Sequence, residues 1–211
     1  MNKKTITTAG IIIIAVLLLG YFLSRSSPQA SVQNPDILDN MHNGQSSASV
    51  DYAQLNSLVG KPLPNIELVD KNSKKYTNES LKGKNTVLFF SEGLMCYPAC
   101  WNQIAQFGSD PRFTTDKIQV FSVLADSSND WQKAIEKMPE LAKANTLFDI
   151  GAVVSRKLGL LTLPSSMHRG SLPGHTYIVL DKEGVVRYIN DDPNMAIWND
   201  MLISKMSGFG N

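Results

Sequence analysis

The chain has 211 residues, a hydrophobic fraction of 43% and a formal net charge of +1. This length and apolar content are enough for one domain with a core of ordinary size, plus an appendage. The near-neutral charge, and the lack of a basic run interleaved with aromatic residues, exclude a nucleic-acid partner.

The N-terminal segment, residues 1–24, has the pattern of a membrane anchor. Lys3 and Lys4 precede a charge-free apolar stretch, Thr5–Leu23. At about 1.5 Å per residue this stretch reaches roughly 28 Å as a helix, close to the roughly 30 Å hydrocarbon core of a bilayer. The two lysines outweigh Arg25 on the other side, so the positive-inside rule places the rest of the chain outside the cytoplasm. We therefore expect a single-pass cell-membrane protein with an extracytoplasmic body.

The next segment, residues 25–50, is predicted to be a flexible tether. It is rich in Ser, Asn, Gln and Pro and poor in large apolar residues, so it cannot bury enough surface to fold alone. Pro28 stands where a signal-peptide cleavage site needs a small residue, which favours an uncleaved anchor. The folded domain is then expected over residues 51–211.

The domain begins with a predicted hairpin and a buried strand. Short strands are expected near Ile66–Val69 and Lys75–Thr77, joined by a turn at Asp70–Ser73. Asn85–Phe90 is a continuous apolar run of strand length, which is typical of a strand covered on both faces.

Helical periodicity starts in "CYPACWNQIAQF", where Pro98 suits the first helical position. Lys117–Asp126 is a second buried strand, and the helix after it is capped by Ser or Asn and ends near Pro139. In the helix that follows the cysteines, Trp101, Ile104, Ala105 and Gly108 are predicted to lie on one face.

The last part of the domain predicts a short helix in "DIGAVVSRKLGL" and two strands in "HTYIVLDKEGVVRYI". A turn at Asp181–Gly184 joins those strands. A closing amphipathic helix is expected over "NMAIWNDMLISKM", with Ile197, Met201 and Met206 near one face.

Strands that alternate with helices and end in a hairpin predict an α/β fold, a three-layer sandwich around a mixed sheet. Both cysteines, Cys96 and Cys100, lie where the first buried strand passes into its helix. With this pair, the segments "GKPLPNIELVD", "VFSVLAD", "LFDIGAVVSRKLGL" and "TYIVLDKEGVVRYI" resemble the thioredoxin-fold redoxins of the AhpC/TSA (alkyl hydroperoxide reductase, thiol-specific antioxidant) group, and also the anchored TlpA/ResA-like thioredoxins. The resemblance covers roughly Gly60–Met206 and implies a thioredoxin-like sandwich.

The spacing of the cysteines limits where each one lies. Residues four apart in a regular helix have Cβ atoms roughly 5–6 Å apart, whereas a disulfide needs roughly 3.5–4.5 Å. Cys96 must therefore precede the helix, and Tyr97, which stands before a proline, is expected to be extended or in a turn. Cys100 is then in the first helical turn, where unpaired N–H groups stabilise a thiolate. The pair fits a redox dithiol, a metal-binding pair or a structural disulfide.

The AhpC/TSA resemblance implies peroxide reduction by a thiol-dependent oxidoreductase. In that group the attacking cysteine is in the first turn of this helix, so Cys100 would attack and Cys96 would resolve the sulfenic acid into a redox disulfide. The group has a threonine three residues before the attacking cysteine and an arginine on a later strand. Tyr97 and His175 stand at these places, and each is able to donate a hydrogen bond to a peroxide. The partners would be a peroxide and a thiol reductant, with no bound cofactor.

The TlpA/ResA resemblance implies thiol–disulfide exchange with a client protein instead. Those proteins carry C-x-x-C, in which the first cysteine attacks, and a cis-proline before the facing strand. Here one more residue separates the cysteines, and Pro173 lies three positions before Thr176. The attacking residue would then be Cys96.

A third hypothesis is copper binding in the manner of the Sco-type chaperones, which are anchored thioredoxin-fold domains with C-x-x-x-C and a distant histidine. Cys96, Cys100 and His175 match this set in kind, and two thiolates with one imidazole suit copper. The prolines that follow the cysteines in those chaperones are absent here. A histidine at a strand entrance is also typical of a structural residue, so the alternatives stay open.

Other residues near the motif are expected to be structural. Glu92 is expected as an exposed loop carboxylate rather than a proton acceptor for the pair, and Trp101 as a core residue. Asp126 ends a strand, where it either faces the same pocket or caps the next helix. His168, in "PSSMHRGSLPG", is expected at the surface.

Overall fold

The computed structural model describes residues 52–209 of the chain. The predicted anchor and tether, residues 1–24 and 25–50, lie outside this range and stay predictions. Within residues 52–209, no helix combines the length and the apolar composition needed to cross a membrane.

Seven strands in the described part of the chain form one mixed sheet. They are β1 (Glu67–Val69), β2 (Lys75–Thr77), β3 (Asn85–Ser91), β4 (Ile118–Leu124), β5 (Thr146–Phe148), β6 (Thr176–Leu180) and β7 (Val186–Asp191). Their order in the sheet is β2-β1-β5-β4-β3-β6-β7. β3 pairs in parallel with β4 and antiparallel with β6, while β1–β2 and β6–β7 are hairpins. The predicted hairpins and buried strands are confirmed.

Five α-helices accompany the sheet over residues 52–209. They are α1 (Ala53–Asn56), α2 (Ala99–Ser109), α3 (Ser128–Lys137), α4 (Val153–Lys157) and α5 (Asn199–Ser207). α3 starts as predicted at a serine cap, because the Ser127 hydroxyl accepts a hydrogen bond from the Asp130 N–H. Its last residue is Lys137, two positions before Pro139, which begins a 3-10 turn.

The side chains of β3 alternate between two cores. Val87 and Phe89 pack with residues of α2, α3 and α5, whereas Leu88 and Phe90 pack with residues of α1 and α4. All four side chains are fully buried. A strand covered on both faces needs a continuous apolar run, and this explains the sequence of β3. The predicted three-layer α/β sandwich is therefore confirmed.

The segment between β4 and β6 differs from the prediction. β5 was not expected, because a three-residue strand gives no periodic signal and is defined by its pairing with β4 and β1. The helix expected from Asp149 is broken, since Gly151 (φ 72°) and Ala152 (φ 53°) are left-handed. The Asp149 carboxylate instead accepts hydrogen bonds of 2.8 Å from the N–H groups of Val154 and Ser155, which caps α4.

The closing helix buries only part of the predicted face. Ile197 and Met201 are 49% and 45% exposed, whereas Leu202 and Met206 are buried against α2 and the sheet. The expectation for Ile197 was wrong because α5 begins only at Asn199, so Ile197 belongs to the preceding loop. Met201 is exposed because it lies five positions before the buried Met206, about 140° away around the helix.

An aspartate holds that loop in place. The Asp192 carboxylate accepts hydrogen bonds from the backbone N–H groups of Asn194 (3.0 Å) and Ala196 (2.7 Å) and from the Trp198 indole (2.7 Å). These contacts occupy donors that would otherwise begin a helix, and so they delay its start.

Candidate active site

β3 leads directly into the turn that carries both cysteines. A 3-10 turn, Gly93–Met95, follows the strand, and Cys96 ends it. The chain then turns at Tyr97 and Pro98 and enters α2, of which Cys100 is the second residue. The Cys100 N–H donates to the Cys96 carbonyl over 3.0 Å. Cys96 thus precedes the helix and Tyr97 is in a turn, as predicted, although Pro98 caps the helix instead of starting it.

A disulfide joins Cys96 and Cys100, whose Cα atoms are 5.4 Å apart. The two side chains are buried, with exposures of 2% and 0%. The bridge predicted across the turn is therefore present. When the bridge is reduced, the Cys100 sulfur lies in the first turn of an 11-residue helix, where unpaired N–H groups favour a thiolate.

His175 reaches the bridge from the neighbouring strand. It immediately precedes β6, whose Thr176 pairs with Phe90 of β3. Its Nδ1 atom is 3.5 Å from Cys100 Sγ, and its Nε2 atom is 2.7 Å from the Tyr177 hydroxyl oxygen. Burial of the ring lowers the pKa of His175 to about 4. The imidazole is therefore neutral at pH 7.

The other residue predicted to support a peroxide, Tyr97, has different surroundings. Its side chain is 68% exposed, and its ring lies edge-on to the Trp101 ring at 4.9 Å. The structure therefore brings His175 against Cys100 and leaves Tyr97 largely in solvent. The supporting role of each residue stays a prediction.

A methionine that the sequence analysis did not single out contacts the bridge from the other side. The thioether sulfur of Met195 lies 3.9 Å from Cys96 Sγ. Met195 belongs to the loop between β7 and α5 and has a left-handed backbone, with φ 52°. Met195 and Cys96 are 99 positions apart in the sequence. No local sequence pattern indicates a contact between residues so far apart.

Three possible ligands of a soft metal converge at this place. The donor atoms of Cys96, Cys100 and His175 all lie within 4.8 Å of one another, and all three residues are buried. Two thiolates and an imidazole form a donor set that suits copper once the disulfide is reduced.

Glu92 was expected as an exposed carboxylate, and this expectation is wrong, whereas His168 is exposed at the surface, as predicted. Glu92 is 1% exposed. Its carboxylate accepts hydrogen bonds from the N–H groups of Met167 (2.6 Å) and His168 (2.9 Å), and it lies 2.8 Å from His168 Nδ1. The cause is a loop 74 to 76 positions later that folds over Glu92 and supplies these donors. Glu92 therefore ties this loop to the base of the cysteine turn.

The turn itself is held by Asp126 and Trp101. The Asp126 carboxylate accepts a hydrogen bond of 3.0 Å from the Leu94 N–H, and the Trp101 indole donates to the Gly93 carbonyl over 3.1 Å. Burial raises the pKa of Asp126. Asp126 thus faces the cysteine turn, while Ser127 caps α3. Trp101 is a core residue, as predicted.

Comparison with known proteins shows the family of this chain. The model of the AhpC/TSA family matches residues 59–189. The chain belongs to the AhpC/TSA family. A chloroplast peroxiredoxin Q of Triticum aestivum is 33% identical over 136 residues, which cover 62% of this AhpC/TSA chain and 57% of that protein.

Two further similarities are to a solved structure and to a second curated relative. The crystal structure of Enterococcus faecalis AhpC has a TM-score of 0.59 and 19% identity, and the match covers 71% of this chain and 90% of that one. This likeness shows the shared thioredoxin-like α/β fold. A "Putative copper-binding protein" of Stutzerimonas stutzeri is 26% identical over 119 residues, 52% of this chain and 58% of that protein. The AhpC/TSA chain thus spans less than two thirds of the length of both curated relatives.

The contact between Gly93 and Asp126 generates a stability prediction. Gly93 has φ +63°, and a Cβ there would overlap the Asp126 carboxylate. Gly151 is the matched control, since it has φ +72° and nothing within 4 Å of its Cβ position. We expect Gly151→Ala to lower the free energy of unfolding by about 1–2 kcal/mol through backbone strain alone. Gly93→Ala should lower it by at least about 1 kcal/mol more, because it also displaces a buried carboxylate.

Urea denaturation of the two oxidised variants and the wild type measures this difference. Equal losses in the two variants would contradict the close packing of the Asp126 carboxylate against the cysteine turn.

Proposed function

We propose that this protein is a membrane-anchored, thiol-dependent peroxide reductase of the AhpC/TSA type, in which Cys100 attacks and Cys96 resolves. One observation carries the proposal: the Cys96–Cys100 disulfide lies at the start of α2, with the neutral His175 imidazole 3.5 Å from Cys100 Sγ. The similarity to a peroxiredoxin Q supports a peroxide as the substrate.

The proposed cycle uses only the two thiols and an external reductant. The Cys100 thiolate attacks one oxygen of the hydroperoxide and breaks the O–O bond, and the departing alkoxide takes a proton to become an alcohol. The Cys100 sulfenic acid is then attacked by Cys96, which forms the disulfide and releases water. A thiol reductant supplies the two electrons and two protons that restore the dithiol.

The surroundings of the two sulfurs support this division of roles. Cys100 lies in the first turn of α2, whose unpaired N–H groups favour its thiolate, and it contacts the neutral His175 ring. Cys96 precedes the helix and contacts the Met195 thioether, a weak acceptor that favours the protonated thiol over the thiolate.

Thiol–disulfide exchange with a client protein is the alternative within the same chemistry. Tyr97 and His175 replace the threonine and arginine of the AhpC/TSA pattern, and Tyr97 is largely exposed. In this alternative the attacking residue is Cys96 and the electrons pass to a protein disulfide. The rate with peroxide distinguishes the two substrates.

Stopped-flow mixing of the reduced protein with hydrogen peroxide tests the proposal. We expect a rate at least about a hundredfold above that of free cysteine, because the thiolate is stabilised and positioned. Cys100→Ser should abolish the reaction. Cys96→Ser, the matched variant, should still consume one peroxide per chain and leave a sulfenic acid that dimedone traps.

A wild-type rate equal to that of free cysteine would reject peroxide reduction. Reduction of a protein disulfide by the same sample would then favour the exchange alternative.

The anchor is the second part of the proposal. Residues 1–24 would cross the membrane once and residues 25–50 would tether the domain outside the cytoplasm. The support is the charge-free apolar stretch after Lys3 and Lys4.

We expect the full chain in the membrane fraction of a bacterial host, and a chain that starts at Tyr52 in the soluble fraction. Protease added to spheroplasts should digest the domain. A full chain in the soluble fraction, or one that the protease does not reach, would contradict the anchor or its orientation.

Copper binding is a second candidate function, favoured by the convergence of Cys96, Cys100 and His175 within 4.8 Å. The similarity to a relative named for copper binding supports it as well. These three residues would hold the ion, and only in the reduced protein, because the disulfide removes both thiolates.

Competition with a strong Cu(I) chelator tests this candidate. Reduced protein should bind Cu(I) and oxidised protein should not, and His175→Ala should weaken binding at least about tenfold through loss of one ligand. His168→Ala is the matched control and should bind as the wild type does. Unchanged affinity in His175→Ala would reject the three-ligand site.

A further inference from the structure

A chain of buried hydrogen bonds leads from His175 to the protein surface. His175 Nε2 is 2.7 Å from the Tyr177 hydroxyl oxygen, which is 3.1 Å from Gln103 Oε1. Gln103 Nε2 is 2.8 Å from Asn199 Oδ1, and Asn199 Nδ2 is 3.0 Å from Asp110 Oδ2. The first three side chains are fully buried and Asn199 is 6% exposed. Sequence patterns do not indicate this series of hydrogen bonds.

At the outer end of this series of hydrogen bonds, near Asp110, the donor and the acceptor are fixed. Asp110 is an ion-pair partner of Arg112 over 2.6 Å, and hydrogen bonds from Arg112 lower the pKa of Asp110 to about 2. The Asp110 carboxylate therefore only accepts, so the Asn199 amide nitrogen must point toward it. The Asn199 oxygen is then turned toward Gln103 and accepts from the Gln103 amide nitrogen.

A second contact fixes the same direction independently. The Trp198 backbone N–H, which only donates, lies 2.8 Å from Gln103 Oε1. The Tyr177 hydroxyl therefore faces two pure acceptors, Gln103 Oε1 at 3.1 Å and the Ala196 carbonyl at 3.5 Å. The Tyr177 hydroxyl donates its proton to one of these two acceptors, so toward His175 its oxygen acts only as an acceptor. His175 Nε2 must then carry the proton that it donates to Tyr177.

We propose that Tyr177, Gln103 and Asn199 are positioning residues that hold His175 as the Nε2–H tautomer, so that the unprotonated Nδ1 faces Cys100 and accepts its thiol proton. The second half of this inference rests on the proposed peroxide reduction. The opposite tautomer would place an N–H against the sulfur and leave Nε2 without a donor, because the Tyr177 proton is held by Gln103.

The proton balance of the reaction follows from this arrangement. The Cys100 S–H bond breaks as Nδ1 takes the proton, and the thiolate attacks the hydroperoxide to form the S–O bond while the O–O bond breaks. The alkoxide that leaves takes the proton back from Nδ1 and becomes an alcohol. His175 is neutral again when Cys96 displaces water from the sulfenic acid. Overall, one dithiol and one hydroperoxide give one disulfide, one alcohol and one water.

Long-range 1H–15N correlation spectra of the oxidised full chain in detergent micelles at pH 7 measure the tautomer directly. The chain has three histidines, and His168→Gln helps to assign their signals. We expect His175 with a protonated Nε2 and an unprotonated Nδ1. A proton on Nδ1 in the wild type would overturn the proposal, and this measurement does not depend on whether any variant folds.

Tyr177→Phe removes the acceptor of the Nε2 proton while it keeps the ring. We expect its His175 signals to shift toward the Nδ1–H tautomer, and its reduced form to react with hydrogen peroxide at least about tenfold more slowly than the wild type. Tyr188→Phe is the matched control. It removes a hydroxyl from β7 that takes no part in the hydrogen bonds from His175 to Asp110, and it should change neither result. An unchanged tautomer in folded Tyr177→Phe would overturn the positioning role.

The two measurements separate this inference from the proposed function. A wild type that reacts with peroxide no faster than free cysteine would reject peroxide reduction. The tautomer results would still support or overturn the positioning of His175, because they are obtained on the oxidised protein without any reaction.

Discussion

The contact between Cys100 and His175 depends on the antiparallel pairing of β3 with β6. The register that pairs Phe90 with Thr176 brings His175 to the turn after β3, although the two contacting residues are 75 positions apart in the chain. α2 starts in the same turn and carries Cys100 in its first turn. A slip of one residue in this register would move His175 to the other face of the sheet, away from the sulfur. The sheet therefore determines which side chain meets the attacking thiol.

Buried polar groups then hold this contact in one geometry. Glu92 ties a distant loop to the base of the cysteine turn, and Asp126 and Trp101 bind the backbone of the turn itself. Loss of any one partner would leave buried donors or acceptors unsatisfied, at a cost of about 1–3 kcal/mol each. On the other side, the hydrogen-bond chain through Tyr177 orients the His175 ring. The site is therefore built by long-range contacts around a short local motif.

This division explains what the sequence predicts and what it does not. The apolar run of β3 and the serine cap of α3 are local patterns, and the position of Cys96 before α2 follows from disulfide geometry alone, so the fold and the bridge were predictable. The environment of Glu92 was not, because its donors come from residues 74 to 76 positions later. Met195 and Tyr177 acquire their roles in the same way, through the loop after β7 and the pairing of β6. Local periodicity carries no information on such contacts, and a wrong helix start assigned Ile197 to α5.

The central claim is that the Cys96–Cys100 bridge is an exchangeable redox bond, and its reduction potential is the most direct test. Equilibration of the full chain with glutathione buffers of defined ratio, followed by alkylation and mass measurement, gives this potential. We expect a value above roughly −300 mV, in the range of catalytic and exchangeable disulfides. A value well below roughly −300 mV would identify a permanent structural disulfide and contradict a redox role for the bridge.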